Sequence, residues 1–362
     1  MLGAYYYLWW GRPTLPGVGA GIWRWGYTNQ PVLGEYNSRD ESVISRQIDW
    51  AKSAGIDFLA PCWTDIGSWD DITLRDYYLK NPKSREMKFC LHYDGVRALN
   101  RYNFHVFPSY DLNEFYTPAM TKGEKLLGDF EYFTKTYFNR PEYLKIDGKP
   151  VVIIYNASAF RNVEKYFAKL PPLFLIADVV CWSGGNMRIS KRNLKFFWQN
   201  PPKEWFKVIY RAFRRRAIKS YEDDFSLSKY FSAITGYNMY SANRLENFLE
   251  NVDGLYQKFW QYAKSQNLYF IPNVMPGYDD RKQFGVNRPV LERKGEEFYK
   301  SFWQIARKYL DPQLPIVLLT TFNEWHEGTE IEPSREYGEK YLELTKLLKD
   351  KRSEDSINNY SR

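Results

Sequence analysis

Leu318 to Ser334 reads LLTTFNEWHEGTEIEPS, and the fold follows from how its first half is taken. A run of apolar and β-branched residues, Ile316 to Thr321, passes directly into Asn323, Glu324, Trp325, His326 and Glu327, after which Gly328 lets the backbone turn. A continuous apolar run bounded by turn residues suits a strand buried on both faces, here one that ends in a polar cluster. Two glutamates three residues apart, flanked by an amide, an indole and an imidazole, are what a hydrolase of sugar acetals needs. One carboxyl protonates a leaving oxygen, and the other takes a proton or attacks. The competing reading is a helix N-terminus whose acids complement the dipole. The bulky Trp325 and His326 between the acids weigh against it.

Working outward, strand-like runs recur at Gly3 to Trp10, Ile56 to Cys62, Met87 to Leu91, Lys149 to Ile154, Leu173 to Val180, Ala233 to Asn238 and Leu268 to Val274, with Pro315 to Thr321 the eighth. Helical patterns lie between several of them. Ser38 to Glu41 has a capping-box look ahead of Ile44, Ile48 and Ala51; Gly123 to Phe138 and Leu245 to Ala263 follow; Phe298, Phe302, Ile305, Ala306 and Tyr309 mark one helix face. This alternation predicts a single (β/α)8 TIM barrel, class α/β, over residues 1–350, with a polar tail over 351–362. A doubly wound open sheet is the alternative, weakened because no glycine-rich phosphate fingerprint follows any strand. A barrel puts its active site just after the strand ends. There the sequence has Trp63 to Asp65, His92 to Asp94, Tyr155 and Asn156, Cys181 and Trp182, Tyr237 and Tyr240, and Tyr278 to Asp280.

Aromatics make up 19% of the 362 residues, with 13 Trp and 30 Tyr, more than packing requires, which points to a carbohydrate or nucleic-acid partner. The net charge of +8 owes most to Lys203 to Lys219, where Arg211, Arg214, Arg215 and Arg216 cluster. A basic amphipathic segment binds phosphate or anionic membranes in some proteins and is a solvated helix face in more. No nucleic-acid signature accompanies it, so a glycan is the expected partner. Cys62, Cys90 and Cys181 read as buried hydrophobes, without disulfide or zinc spacing. The N-terminus has no signal-peptide pattern and no stretch is long and apolar enough to span a membrane, so the expectation is a cytoplasmic chain. Oligomeric state leaves no trace in the sequence.

His326 sits in HEGTE, which is not the H-E-x-x-H zinc pattern, and is expected to orient a carboxylate or touch sugar; no metal and no cofactor are expected. Glu330 and Glu332 compete with the two leading glutamates. Glu332, just before Pro333, is expected to face solvent or a neighbouring loop. Trp9, Trp10, Trp25 and Trp63 are stacking candidates, and of Trp23, Trp25 and Tyr27 at least one is expected beside the cleft as a sugar platform.

TFNEWHEGTEIEPS resembles the strand-eight signature of glycoside hydrolase family 99, the endo-acting α-mannosidases and mannanases. The likeness extends through YLWWGRP, through LGEYNSRDESVISRQIDWAKSAGIDFLAPCW, FCLHYD and PEYLKIDGKPVVIIYNA, and through MPGYDDR followed by VNR. The resemblance implies a (β/α)8 barrel that cleaves within mannose-containing glycans, with retention and without a metal. It also implies a 1,2-anhydro sugar intermediate, with Glu324 as base on the 2-hydroxyl and Glu327 as general acid/base. Trp63, His92, Asp94, Tyr237, Tyr278, Asn323, Trp325 and His326 are then the expected substrate-binding residues. PCWTD and ITGYNMYS depart from the family pattern, so reaction type is implied more firmly than the glycan. The same signature occurs in proteins of polysaccharide biosynthesis, some called glycosyltransferases. A biosynthetic enzyme or transglycosidase is therefore one alternative, and a non-catalytic glycan-binding barrel another.

Overall fold

The computed structural model describes residues 1–12, 21–100, 110–157, 160–179, 229–239, 247–285, 290–293 and 295–359. The basic segment Lys203 to Lys219, Cys181, Trp182, Tyr240 and the VNR triplet lie outside them.

Eight parallel strands form a closed ring: β1 (Leu2–Tyr6), β2 (Phe58–Trp63), β3 in two pieces (Lys88–Phe89 and Leu91–Tyr93), β4 (Lys149–Ile154), β5 (Phe174–Asp178), β6 (Ala233–Thr235), β7 in two pieces (Tyr269–Ile271 and Asn273–Val274) and β8 (Val317–Leu319). Each pairs with its sequence neighbour, and β1 also pairs with β8 through Leu2↔Val317, Gly3↔Leu318 and Ala4↔Leu319. Pro272 divides β7, since proline brings no N–H to a ladder. The first piece pairs with β6 and the second with β8, so the break falls where the strand changes partners. The central strands read VVII, FLIA and VLL and are buried throughout, as a barrel covered on both faces requires. The expected (β/α)8 barrel is thus the observed fold.

Strand ends differ from expectation for a physical reason. The run expected to continue to Trp10 leaves the ladder after Tyr6, because the Asn323 side chain takes both peptide groups of Tyr7. The principal helices are α1 (Glu41–Ser53), α2 (Lys122–Thr136), α3 (Phe248–Ser265), α4 (Gly295–Lys308) and α5 (Lys340–Asn359). The capping box expected at α1 is absent: Asp40 is its N-cap and makes no side-chain cap bond. A complete capping box opens α2 instead, between Thr121 and Glu124. Helix α5 runs past Lys351, where a polar tail was expected, and among the described residues no helix is long and apolar enough to cross a membrane.

Gly3 shows how tightly β1 and β2 approach. A Cβ there would come within 2.1 Å of the buried Phe58 ring. Gly3→Ala should therefore destabilise the protein by roughly 1–3 kcal/mol through overpacking, read as a lower midpoint in urea unfolding with an unchanged slope.

Candidate active site

The segment after β8 folds as a loop closed on itself. Thr321 N–H donates to Thr329 C=O at 2.9 Å, the two threonine hydroxyls pair at 3.0 Å, and Glu332 N–H returns to Phe322 C=O at 2.8 Å. Thr321 Oγ1 also accepts the Glu324 N–H at 2.8 Å. In a continuing strand, residues 324 and 327 would point to opposite faces. Here the strand has ended at Leu319, and both carboxylates act on the Tyr7 and Tyr237 hydroxyls at the C-terminal mouth of the barrel. Gly328 holds φ at +60°, and a Cβ there would press on Asp279 backbone at 3.2 Å.

The two acids have different surroundings. Glu327 opens partly to the cleft, accepting hydrogen bonds from Tyr237 Oη at 2.9 Å and Tyr278 Oη at 3.4 Å. Burial first, and then the neighbouring Glu324 charge, push its carboxyl up to about 8, against the pull of the two tyrosine hydroxyls. Glu324 lies deeper: its Oε1 accepts the His326 N–H at 3.1 Å and stands 3.3 Å from His326 Nδ1. Tyr7 Oη donates to Tyr237 Oη at 2.7 Å, extending the hydrogen-bonded chain from Glu327 to β1.

Of the other expected site residues, some join this centre. His326 is packed between the rings of Trp10 and Trp25, with Nε2 3.2 Å from Ile22 C=O. His92 stacks on Tyr237 at 6.0 Å, and burial, with the charge of Arg97, lowers its pKa to about 3, so it is a neutral imidazole. Neither of its ring nitrogens has a hydrogen-bond partner. Asp94 caps the short helix Gly95–Leu99, and its Oδ2 meets Arg97 Nε at 3.4 Å; the Arg97 guanidinium lies over the Trp9 ring. Trp25 is the exposed member of the first-loop aromatics, at 45%, while Trp23 is buried.

Others are placed in the scaffold. Trp63 is fully buried, its Nε1 donating to Asp71 at 2.9 Å and its ring against Phe133. Trp325 is fully buried too, its N–H shared between Tyr36 Oη and Glu332. Asn323 bonds both peptide groups of Tyr7 and leaves no face for a ligand. Glu332 does not face solvent as expected. It is buried and accepts from Gln47 Nε2 at 2.8 Å, Tyr36 Oη at 2.7 Å and Trp325 Nε1 at 3.0 Å. Glu330 is buried against Arg293 at 2.6 Å. Burial pushes both carboxyls up to about 7. Tyr7, Tyr36 and Arg97 are site or support residues that sequence reading missed. Tyr7 and Arg97 lie within YLWW and three residues after HYD, so position after strand ends was the available signal. Among the described residues no group of three or more His, Cys, Asp or Glu could hold a metal ion.

The model of the family described as Glycosyltransferase WbsX matches residues 121–345, more than half of the chain. A mouse glycoprotein endo-alpha-1,2-mannosidase is 24% identical over 323 residues, covering 88% of this chain and 60% of its own length. A human glycoprotein endo-alpha-1,2-mannosidase-like protein is 24% identical over 340 residues, covering 89% of this chain and 64% of its own. The chain thus spans less than two thirds of these relatives. A solved structure, the GH99 endo-alpha-mannosidase of Bacteroides thetaiotaomicron with bis-tris-propane, superposes with a TM-score of 0.64 at 19% identity, over 99% of this chain and 98% of that one. The family 99 resemblance drawn from the motifs is met by these relatives, and the structural match supports the barrel.

The elevated carboxyl of Glu327 ties stability to pH. A carboxyl whose pKa rises on folding, here from 4.5 to about 8, favours the folded state fully below the lower value and loses that contribution as pH climbs through the higher. Glu330 and Glu332 act in the same direction. Glu327→Gln cannot ionise, so its melting temperature should exceed that of the wild type at about pH 8.5 and the gap should close toward about pH 4, as followed by calorimetry.

Proposed function

The chain belongs to the WbsX glycosyltransferase family, and we propose that it acts on a mannose-containing glycan as an endo-acting, retaining α-glycosidase, with Glu324 and Glu327 carrying the chemistry. One observation carries this: two carboxyls share a barrel mouth, and one, buried and in the field of the other, is pushed up to about 8. An acid that stays protonated at neutral pH beside a second carboxylate divides the labour of glycoside cleavage. The names of the endo-alpha-1,2-mannosidase relatives, and the motifs, support mannose as the sugar.

In the proposed reaction Glu324 takes the proton of the sugar's 2-hydroxyl, and O2 attacks C1. The C1–O bond to the leaving sugar breaks as Glu327 delivers its proton to that oxygen. The product is a 1,2-anhydro sugar, with Glu324 protonated and Glu327 ionised. Glu327 then takes a proton from water, whose oxygen opens the three-membered ring at C1, and Glu324 returns its proton to O2. Two inversions at C1 leave its configuration retained. Tyr237, placed at 2.9 Å, steadies Glu327 in its ionised phase. Neutral His92 is buried against the ring of Tyr237, whose hydroxyl holds Glu327.

A second reading follows from the family's description as glycosyltransferase. The same activated sugar captured by a sugar hydroxyl in place of water would extend a polysaccharide. Mass spectrometry of products from a panel of α-mannosides in 18O water, with and without mannose acceptors, separates the two. Label at the new reducing end means hydrolysis, acceptor-coupled products mean transfer, and turnover of no member rejects the glycosidase.

The two glutamates should differ in their dependence on leaving group. Glu327→Gln should keep most of its activity on an activated aryl mannoside while losing about 100-fold or more on a sugar leaving group. Glu324→Gln should lose both, and a 2-O-methyl substrate should be inert to the wild type. Turnover of the 2-O-methyl analogue would point to direct carboxylate attack. Trp25→Ala should weaken binding of long substrates by roughly 1–3 kcal/mol, on the scale of stacking on bases, measured as KM against chain length.

A further inference from the structure

The loop carrying Glu324 and Glu327 has two more glutamates, both turned into the protein, and they are held from the two flanks of β8, one toward β1 and one toward β7. On the β1 side, Glu332 gathers three donors, from Gln47 on α1, from Tyr36 and from Trp325. Tyr36 Oη in turn accepts from Trp325 Nε1 at 3.2 Å and Asn323 Nδ2 at 3.3 Å. The residues immediately before and after Glu324 are therefore fixed through one buried carboxylate. On the β7 side, Tyr278 and Leu291 pair as an antiparallel bridge, which brings Asp279 and Arg293 alongside the loop. Asp279 N–H donates to Glu327 C=O at 2.7 Å, and Arg293 Nη2 donates to Gly328 C=O at 3.1 Å and to Glu330 at 2.6 Å. The guanidinium is sandwiched by the rings of Tyr337 and Tyr341, at 4.9 and 4.8 Å. Gly277 permits this approach, since a Cβ there would lie 2.7 Å from the Arg293 side chain.

The geometry points to two separate clamps, with Glu332 the positioning residue for Glu324 and Arg293 the positioning residue for Glu327. This rests on the glycosidase reading for its kinetic consequences only. The Glu332 clamp holds the side chains on both sides of Glu324, the Arg293 clamp holds the loop at Gly328 and Glu330 on the C-terminal side of Glu327, and the two share no hydrogen-bonded atom. Loosening one should therefore impair one chemical role. A generally weakened fold would impair both together.

The test uses Glu332→Gln and Arg293→Lys in the full chain, with kinetics on an aryl mannoside and on a mannoside with a sugar leaving group, and a crystal structure of each variant. Lysine keeps the charge and loses the forked, stacked geometry. Arg293→Lys should fall by about 10-fold or more in kcat on the sugar leaving group and less than about threefold on the aryl one, because protonation matters little there. Glu332→Gln should fall by about 10-fold on both, and the exchange variant Glu332→Gln with Gln47→Glu, which restores one carboxylate and one amide to the cluster, should recover most of it. If Arg293→Lys does not fold, Tyr337→Leu, which removes one ring from the guanidinium, should show the same leaving-group dependence in milder form. Equal losses on both substrates from both variants would overturn the assignment. If the wild type cleaves neither mannoside, the functional reading fails while the crystal structures still decide. Glu327 displaced with Glu324 in place in Arg293→Lys, and the converse in Glu332→Gln, upholds the clamps; both or neither moving overturns them.

Discussion

The mouth of this barrel depends on one side chain standing in for a strand. Where β1 and β8 stop pairing through their backbones, the Asn323 amide continues the pairing: its Oδ1 accepts from Tyr7 N–H at 2.7 Å and its Nδ2 donates to Tyr7 C=O at 2.9 Å. Each of these buried peptide groups would cost about 1–3 kcal/mol if left unsatisfied. Because the amide does what a ladder would do without extending the strand, the chain can break into a loop at the position before Glu324. Trp10 closes the arrangement from above, its indole N–H bonding Asn323 C=O at 3.0 Å. Tyr7, Trp10 and Glu324 are thereby set relative to one another by a single residue. An aspartate of the same shape would lack the donor, and a leucine would lack both.

Four glutamates within nine residues, 324, 327, 330 and 332, would repel one another strongly if all were charged and equivalent. They are not equivalent, because each has a different kind of partner. Glu330 has a guanidinium, Glu332 has three neutral donors, and Glu324 has a histidine beside it. Glu327 has two tyrosine hydroxyls and the field of Glu324, and burial together with that field raises its pKa. The difference between the four carboxyls follows from this partner set. It needs no difference in side-chain chemistry.

All eight strands and helices α1 to α4, though not α5, were legible in the sequence, since buried parallel strands are continuous apolar runs and helices repeat at their own period. Their ends were not, because what ends β1 is Asn323, more than three hundred residues away. Glu332 was misread for the same reason. Proline beside it suggested a surface, whereas its burial comes from Tyr36 and Gln47, 296 and 285 positions earlier. The polar cluster that follows β8, with Glu324 and Glu327 in it, was legible as the break in an apolar run. The roles of aromatics were not: Trp63 and Trp325 have the composition of sugar platforms, yet each indole N–H is taken by a buried carboxylate. Capping was ambiguous as well, since Ser38 to Glu41 and Thr121 to Glu124 look alike in one dimension, and only the second closes reciprocally.

The seam between β1 and β8 also sets the order of events at the ribosome. Met1 N bonds Pro315 C=O at 2.7 Å, and Gly3 lies against Leu318, so β1 waits for a strand synthesised some three hundred residues after it. Until residues beyond 315 emerge, β1 presents an unpaired edge, and such edges invite association between nascent chains. The loop with both acids follows β8 directly, so the emergence of the last strand that closes the barrel is at once followed by that of the residues that make it a site. A chain stopped short of β8 therefore has neither the closed barrel nor the loop that carries Glu324 and Glu327.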